Sequence, residues 1–105
     1  MAERERRAWV RLPSDREASF RAGADTTGWL GRVRDISQGG IALVLRQKFD
    51  LGTDLFIDLA TNAGEVRSLA AQVVRVTLER DGCWITGCEF ASTLGVDDLQ
   101  TFVRA

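Results

Sequence analysis

Histidine and tyrosine are absent from this 105-residue chain, and proline occurs once, at Pro13. Without histidine the chain lacks the side chain most used near neutral pH as a general base and as a metal ligand. Two cysteines, Cys83 and Cys88, stand five apart on one strand-like stretch. That odd spacing sends them to opposite faces, which makes them poor disulfide partners. Two thiols without histidine or a second cysteine pair do not compose a zinc site, so no metal is expected. They read as small apolar fillers in a reducing compartment. No apolar run approaches the ~20 residues of a membrane span. The charged N-terminus lacks the apolar core of a signal peptide. The expectation is a cytoplasmic protein with no membrane association. Lysine occurs once, at Lys48, against thirteen arginines, a bias that a GC-rich genome largely explains. With a net charge of −1 the whole molecule is no polyanion binder by bulk electrostatics. A nucleic-acid polymer is therefore not an expected partner, since a single-strand-binding barrel needs a basic groove with exposed aromatics. An enzyme is not expected either. No nucleophile–base pair and no metal set is visible, and Asp35 with Ser37 but no histidine makes no triad.

What is present is enough apolar content, 45%, to fill one core in one domain. Alternation predicts strands over Glu17–Ala22, Trp29–Ser37, Ile41–Arg46, Asp54–Ala60, Glu65–Glu79 and Cys83–Phe90. Turn-forming clusters separate them, among them Thr61-Asn62-Ala63-Gly64, where Asn62 and Gly64 supply permissive backbone geometry. Two strands break period two. Val33 and Ile36 are apolar but three apart, which asks for a bulge near Arg34-Asp35. The long strand over 65–79 asks for another near Ala71. Past Thr93 the period changes. Leu94, Leu99, Phe102 and Val103 fit a short helix with Asp97 and Asp98 at its start, packed on the open end of the sheet. The fold class expected is all-β: a small six-stranded antiparallel β-barrel with a short C-terminal helix. Residues 1–13 carry no strand or helix signal.

The chain is organised around Arg34-Asp35-Ile36-Ser37-Gln38-Gly39-Gly40-Ile41. Asp35 and Ser37 are two apart, so an extended strand points both to one side. Gly39-Gly40 marks a tight turn that accepts positive φ. Two readings stay open here: a polar face shaped for a small ligand, or a hairpin whose Asp and Ser cap their own turn. A second feature is the arginine-rich start. Arg7 and Arg11 are four apart with Ala8, Trp9 and Val10 between them, and Arg6 precedes the pair.

The spacing R-x-x-x-R at Arg7 and Arg11, followed by D-x-S-x-x-G at Asp35, Ser37 and Gly40, resembles the PilZ domain, the bacterial receptor for cyclic di-GMP. The resemblance extends over nearly the whole chain and includes a late Gly-x-x-Phe at Gly87 and Phe90. It implies a ligand and no cofactor. Arg7 and Arg11 clamp phosphate and base from an N-terminal switch segment, residues 1–13. Asp35, Ser37, Gly39 and Gly40 form the fixed wall on the barrel, residues 14–105. Arg6 is placed to meet a second, stacked ligand molecule. A guanidinium suits this task because its fork meets guanine O6 and N7, or a phosphate, with two hydrogen bonds. Ordering of the segment is then read by a downstream protein or by a second subunit in a homodimer. The alternative is a PilZ-like adaptor that works through protein contacts without nucleotide.

Overall fold

The computed structural model describes residues 11–25 and 27–103. Among them are seven strands, β1 (Leu12–Pro13), β2 (Glu17–Ala22), β3 (Trp29–Ile36), β4 (Gly40–Leu45), β5 (Asp54–Ala60), β6 (Val66–Leu78) and β7 (Trp84–Phe90), and one helix, α1 (Val96–Gln100). All pairings are antiparallel. Strands β2 to β7 close into a six-stranded barrel in the order β3-β2-β5-β6-β7-β4, and β4 returns to β3. Closure removes the unpaired edges that an open sheet of this size would expose. The barrel with its short C-terminal helix is the fold class the alternation implies.

Period-two patterning builds the core. Leu55, Ile57 and Leu59 of β5 are fully buried, while Asp54 and Ala60 at its ends are exposed. On β7, Thr86, Cys88 and Phe90 point inward. The bulge expected in β3 is present: Val33 pairs Leu43, Asp35 pairs Ala42, and Arg34 is the extra residue. In β6 the bulge lies three residues beyond the expected place. Ala71 and Val73 both face inward in register, and the shift falls between Val73 and Arg75, with Val74 as the extra residue. The adjacent pair Val73-Val74 is what breaks the alternation.

The N-terminal reading needs a correction. Leu12–Pro13 forms a two-residue strand that pairs Ile36 and Asp35 of β3. The Ser14 N–H donates to the Arg34 carbonyl at 3.0 Å, and the Val33 N–H donates to the Arg16 carbonyl at 2.8 Å. These bonds carry the pairing on to β2, so residues 12–22 run along β3 as one interrupted strand. A two-residue strand is too short to show periodicity.

The C-terminal segment closes one end. Leu94, Leu99, Phe102 and Val103 are buried, Phe102 completely. Asn62 does more there than turn the chain. Its N–H donates to the Thr101 carbonyl at 2.7 Å, and its side-chain amide donates to the carbonyls of Gln100 and Val103. Its Oδ1 accepts from Arg16. Positive φ in this turn belongs to Gly64, at +89°, and not to Asn62.

Two outcomes follow from the packing. Phe102→Ala empties the seat of a fully buried aromatic ring and should cost about 3–5 kcal/mol, read as a lower midpoint in thermal unfolding. Burial of Cys88 pushes its thiol from the ordinary 9.0 up to about 12. Between those values the unfolded chain has lost a proton that the folded chain keeps. Stability should therefore fall as pH rises through that window, with a slope approaching about 1.4 kcal/mol per pH unit. Urea unfolding of the wild type and of Cys88→Ala on both sides of the window checks this, since the variant lacks that contribution.

Candidate functional site

The β3 bulge aims the carboxylate. With Arg34 inserted, Val33 and Ile36 both face the core and Asp35 turns outward beside Pro13 and Ala42. Leu12 lies opposite Ile36, so Arg11, one residue earlier, emerges at the end of β3. Arg11 Nε donates to Asp35 Oδ1 at 2.7 Å, and Arg11 Nη2 lies 2.7 Å from the same oxygen. The side chains are 49% and 23% exposed. An ion pair so open to water contributes about 1 kcal/mol or less. It positions the arginine without committing it.

Ser37 lies just past β3 and is buried. Its hydroxyl accepts the N–H groups of Gly39 at 3.3 Å and Gly40 at 3.2 Å. Its own N–H donates to the Gly40 carbonyl at 2.8 Å. The capping alternative therefore describes what this serine does in the barrel. Asp35 is accessible, whereas the Ser37 hydroxyl is turned into its own turn. Gly40 also corrects the reading of the glycine pair. Its φ is not positive. A Cβ there would stand 2.2 Å from the Cys88 carbonyl oxygen of β7, so the missing side chain admits the neighbouring backbone. The turn is tied further by Phe90 N–H to the Gly39 carbonyl, 2.9 Å, and by Leu94 N–H to the Gln38 carbonyl, 2.8 Å.

Two adjoining cavities open on this face. The smaller reaches the Ser37–Gly40 turn, and the larger, about 350 Å³, reaches Arg34 and Asp35. Both are lined by Arg11, Arg75 and Gly87, so they form one trough across β3, β4, β7 and β6. The two bulged strands are its walls. The structure thus brings Arg11, Asp35, Ser37, Gly39 and Gly40 to one place. Arg6 and Arg7, with Trp9, lie outside the described residues. Sequence reasoning did not single out Arg34 or Arg75. For Arg34 the signal was present, since the extra residue of a bulge is thrown outward. Arg75 had no such signal: it follows the extra residue Val74 and is itself paired with Gly87, and the bulge was expected nearer Ala71. No cluster of histidine, cysteine, aspartate or glutamate suited to a metal ion occurs among the described residues.

Ser37→Ala leaves two N–H groups of a buried turn without their acceptor. The expected cost is about 1–3 kcal/mol in unfolding experiments, with faster hydrogen exchange at Gly39 and Gly40.

Comparisons with known proteins bear on this face. A family model described as PilZ domain matches residues 5–105. Among curated proteins none matches the chain. Several solved structures share the fold, three of which follow. The Bacillus subtilis inhibitor of motility, MotI/DgrA, superposes with a TM-score of 0.64 at 21% identity, covering 90% of this chain and 46% of that one. This chain therefore spans about half of that protein. The PilZ domain of CeSA from a cellulose-synthesizing bacterium gives 0.59 at 20% identity, covering 90% and 92%. The PilZ domain of Escherichia coli YcgR with c-di-GMP gives 0.62 at 19% identity, covering 91% and 86%.

Proposed function

The chain belongs to the PilZ domain family, and we propose that it is a receptor for cyclic di-GMP whose N-terminal arginines close over the trough. The observation that carries this reading is Arg11 held on Asp35 at the mouth of a polar trough. The pair is weak enough to be exchanged. Asp35 is suited to accept from guanine N1–H and N2–H, which releases the Arg11 fork for a phosphate or for guanine O6 and N7. The solved YcgR domain with c-di-GMP supports the choice of ligand.

Charge balance supports a role for the leading residues. The charged side chains lining the trough are Arg11, Arg34 and Arg75 against Asp35, Glu79 and Glu89. They cancel, so this wall alone has no net attraction for a ligand with two phosphodiester charges. Arg6 and Arg7 add two positive charges at the end of the chain that leads into Arg11. In this reading the nucleotide draws Arg6 and Arg7 onto the barrel, and a second ligand molecule stacks against Arg6. Because Leu12–Pro13 already pairs with β3, the part of residues 1–13 that the ligand fixes lies ahead of Arg11. Ser37, Gly39 and Gly40 serve as a rigid edge. A downstream protein, or a second subunit, reads the closed segment.

Calorimetric titration with cyclic di-GMP should show micromolar or tighter binding, about −8 kcal/mol or better. Arg11→Ala should weaken it by about 2 kcal/mol or more, roughly 30-fold, because the variant loses a charged hydrogen-bonding fork at the ligand. Equal affinity for wild type and variant removes Arg11 from the site. Absence of binding by the wild type leaves the adaptor reading, in which the same barrel acts through protein contacts alone.

A further inference from the structure

The trough has a second wall, and its arginine and its glycine carry no assignment in the two motifs. Arg75 follows the extra residue Val74 in β6, and its partner across the ladder is Gly87 of β7. A Cβ built on Gly87 would lie 3.5 Å from Arg75 Cβ and 3.8 Å from Arg75 Nε. The arginine side chain therefore passes over Gly87 instead of leaning away from β7.

Those distances also show that the fold does not need glycine at this position. Contacts of 3.5 Å and beyond are ordinary packing, whereas a Cβ on Gly40 would strike backbone at 2.2 Å. Nor is φ at Gly87 positive. Yet Gly87 lines both cavities, with Arg75 and Arg11 also on each. A glycine demanded by neither packing nor backbone conformation, lying between two guanidinium groups, leaves strand backbone open to whatever fills the trough.

We propose that Arg75 and Gly87 complete the nucleotide site. Gly87 seats the ligand against bare β7 backbone, and Arg75 takes a ligand phosphate from the wall opposite Asp35. This rests on the cyclic di-GMP reading above. The chemistry is that of a guanidinium fork on a phosphodiester, which a lysine reproduces only as a point charge.

The test is calorimetry of the full chain with cyclic di-GMP, comparing wild type, Arg75→Gln, Arg75→Lys and Gly87→Ala, with thermal unfolding of each. Arg75→Gln should bind about 10- to 100-fold more weakly, as loss of one charged hydrogen-bonding group predicts. Arg75→Lys should fall between it and the wild type. Gly87→Ala should unfold like the wild type and still bind about tenfold more weakly, because the added methyl occupies the floor. A wild type that binds, with Arg75→Gln and Gly87→Ala binding equally well, overturns this proposal and leaves the receptor reading standing. A destabilised Gly87→Ala assigns that glycine to the fold and overturns its part. A wild type that does not bind overturns the receptor reading, and this proposal with it.

Discussion

One extra residue in a strand decides which charges the barrel shows to solvent. In β3, strict alternation from Val33 would send Asp35 into the core and Ile36 out. The insertion of Arg34 reverses both, so Val33 and Ile36 are fully buried and the carboxylate faces the trough. A carboxylate buried without partners would cost several kcal/mol, which makes this register a condition of folding and not a detail of the site. In β6 the same device acts at Val74. Without it, Arg75 would follow Val73 inward; with it, Val76 packs on the core and Arg75 turns out. The two bulges lie on opposite walls of one trough. The constraint that keeps charge out of the core is thus the one that assembles the site.

The two sides of the site differ in how firmly they are held. The Ser37–Gly40 turn is bonded within itself and to Phe90 and Leu94, and Gly40 is pressed against β7. Such an edge is held firmly by its own bonds and by the strand beside it. Arg11 hangs from a short pairing of two residues and one solvent-exposed ion pair. Contacts of that kind are individually weak, and segments held by them open at low free-energy cost. In the receptor proposed above this asymmetry would divide the work: the rigid edge would supply selectivity, and the lightly held arm a change for another protein to detect.

Much of this was legible in the residue pattern. Two apolar residues three apart, Val33 and Ile36, announced the β3 bulge and with it the exposed Asp35. The spacing of Arg7, Arg11, Asp35, Ser37 and Gly40 pointed to the right family, and of these residues the fold brings Arg11, Asp35, Ser37 and Gly40 to one face. The β6 bulge was legible in kind but not in place, because Ala71 fits inside or outside and only the valine pair at 73–74 marks the break. β1 was invisible, since two residues around a proline show no period. Gly40 was misread for a physical reason. Glycine is needed both where φ is positive and where another backbone comes close, and the close strand, β7, is nearly fifty residues away along the chain. Arg75 carried no signal as a single arginine among thirteen. Its meaning appears only when the ladder sets it across from Gly87.

The central claim is that arginines at the start of the chain and the wall of the barrel meet on one nucleotide. The most direct measurement is a titration of isotope-labelled protein with cyclic di-GMP, followed residue by residue through backbone amide and arginine side-chain resonances. The account predicts large changes in two groups together, Arg6, Arg7 and Arg11 on one side and Asp35 to Gly40 with Arg75 and Gly87 on the other. Changes centred on another face of the barrel, or changes on the wall with Arg6 and Arg7 unaffected, would contradict it.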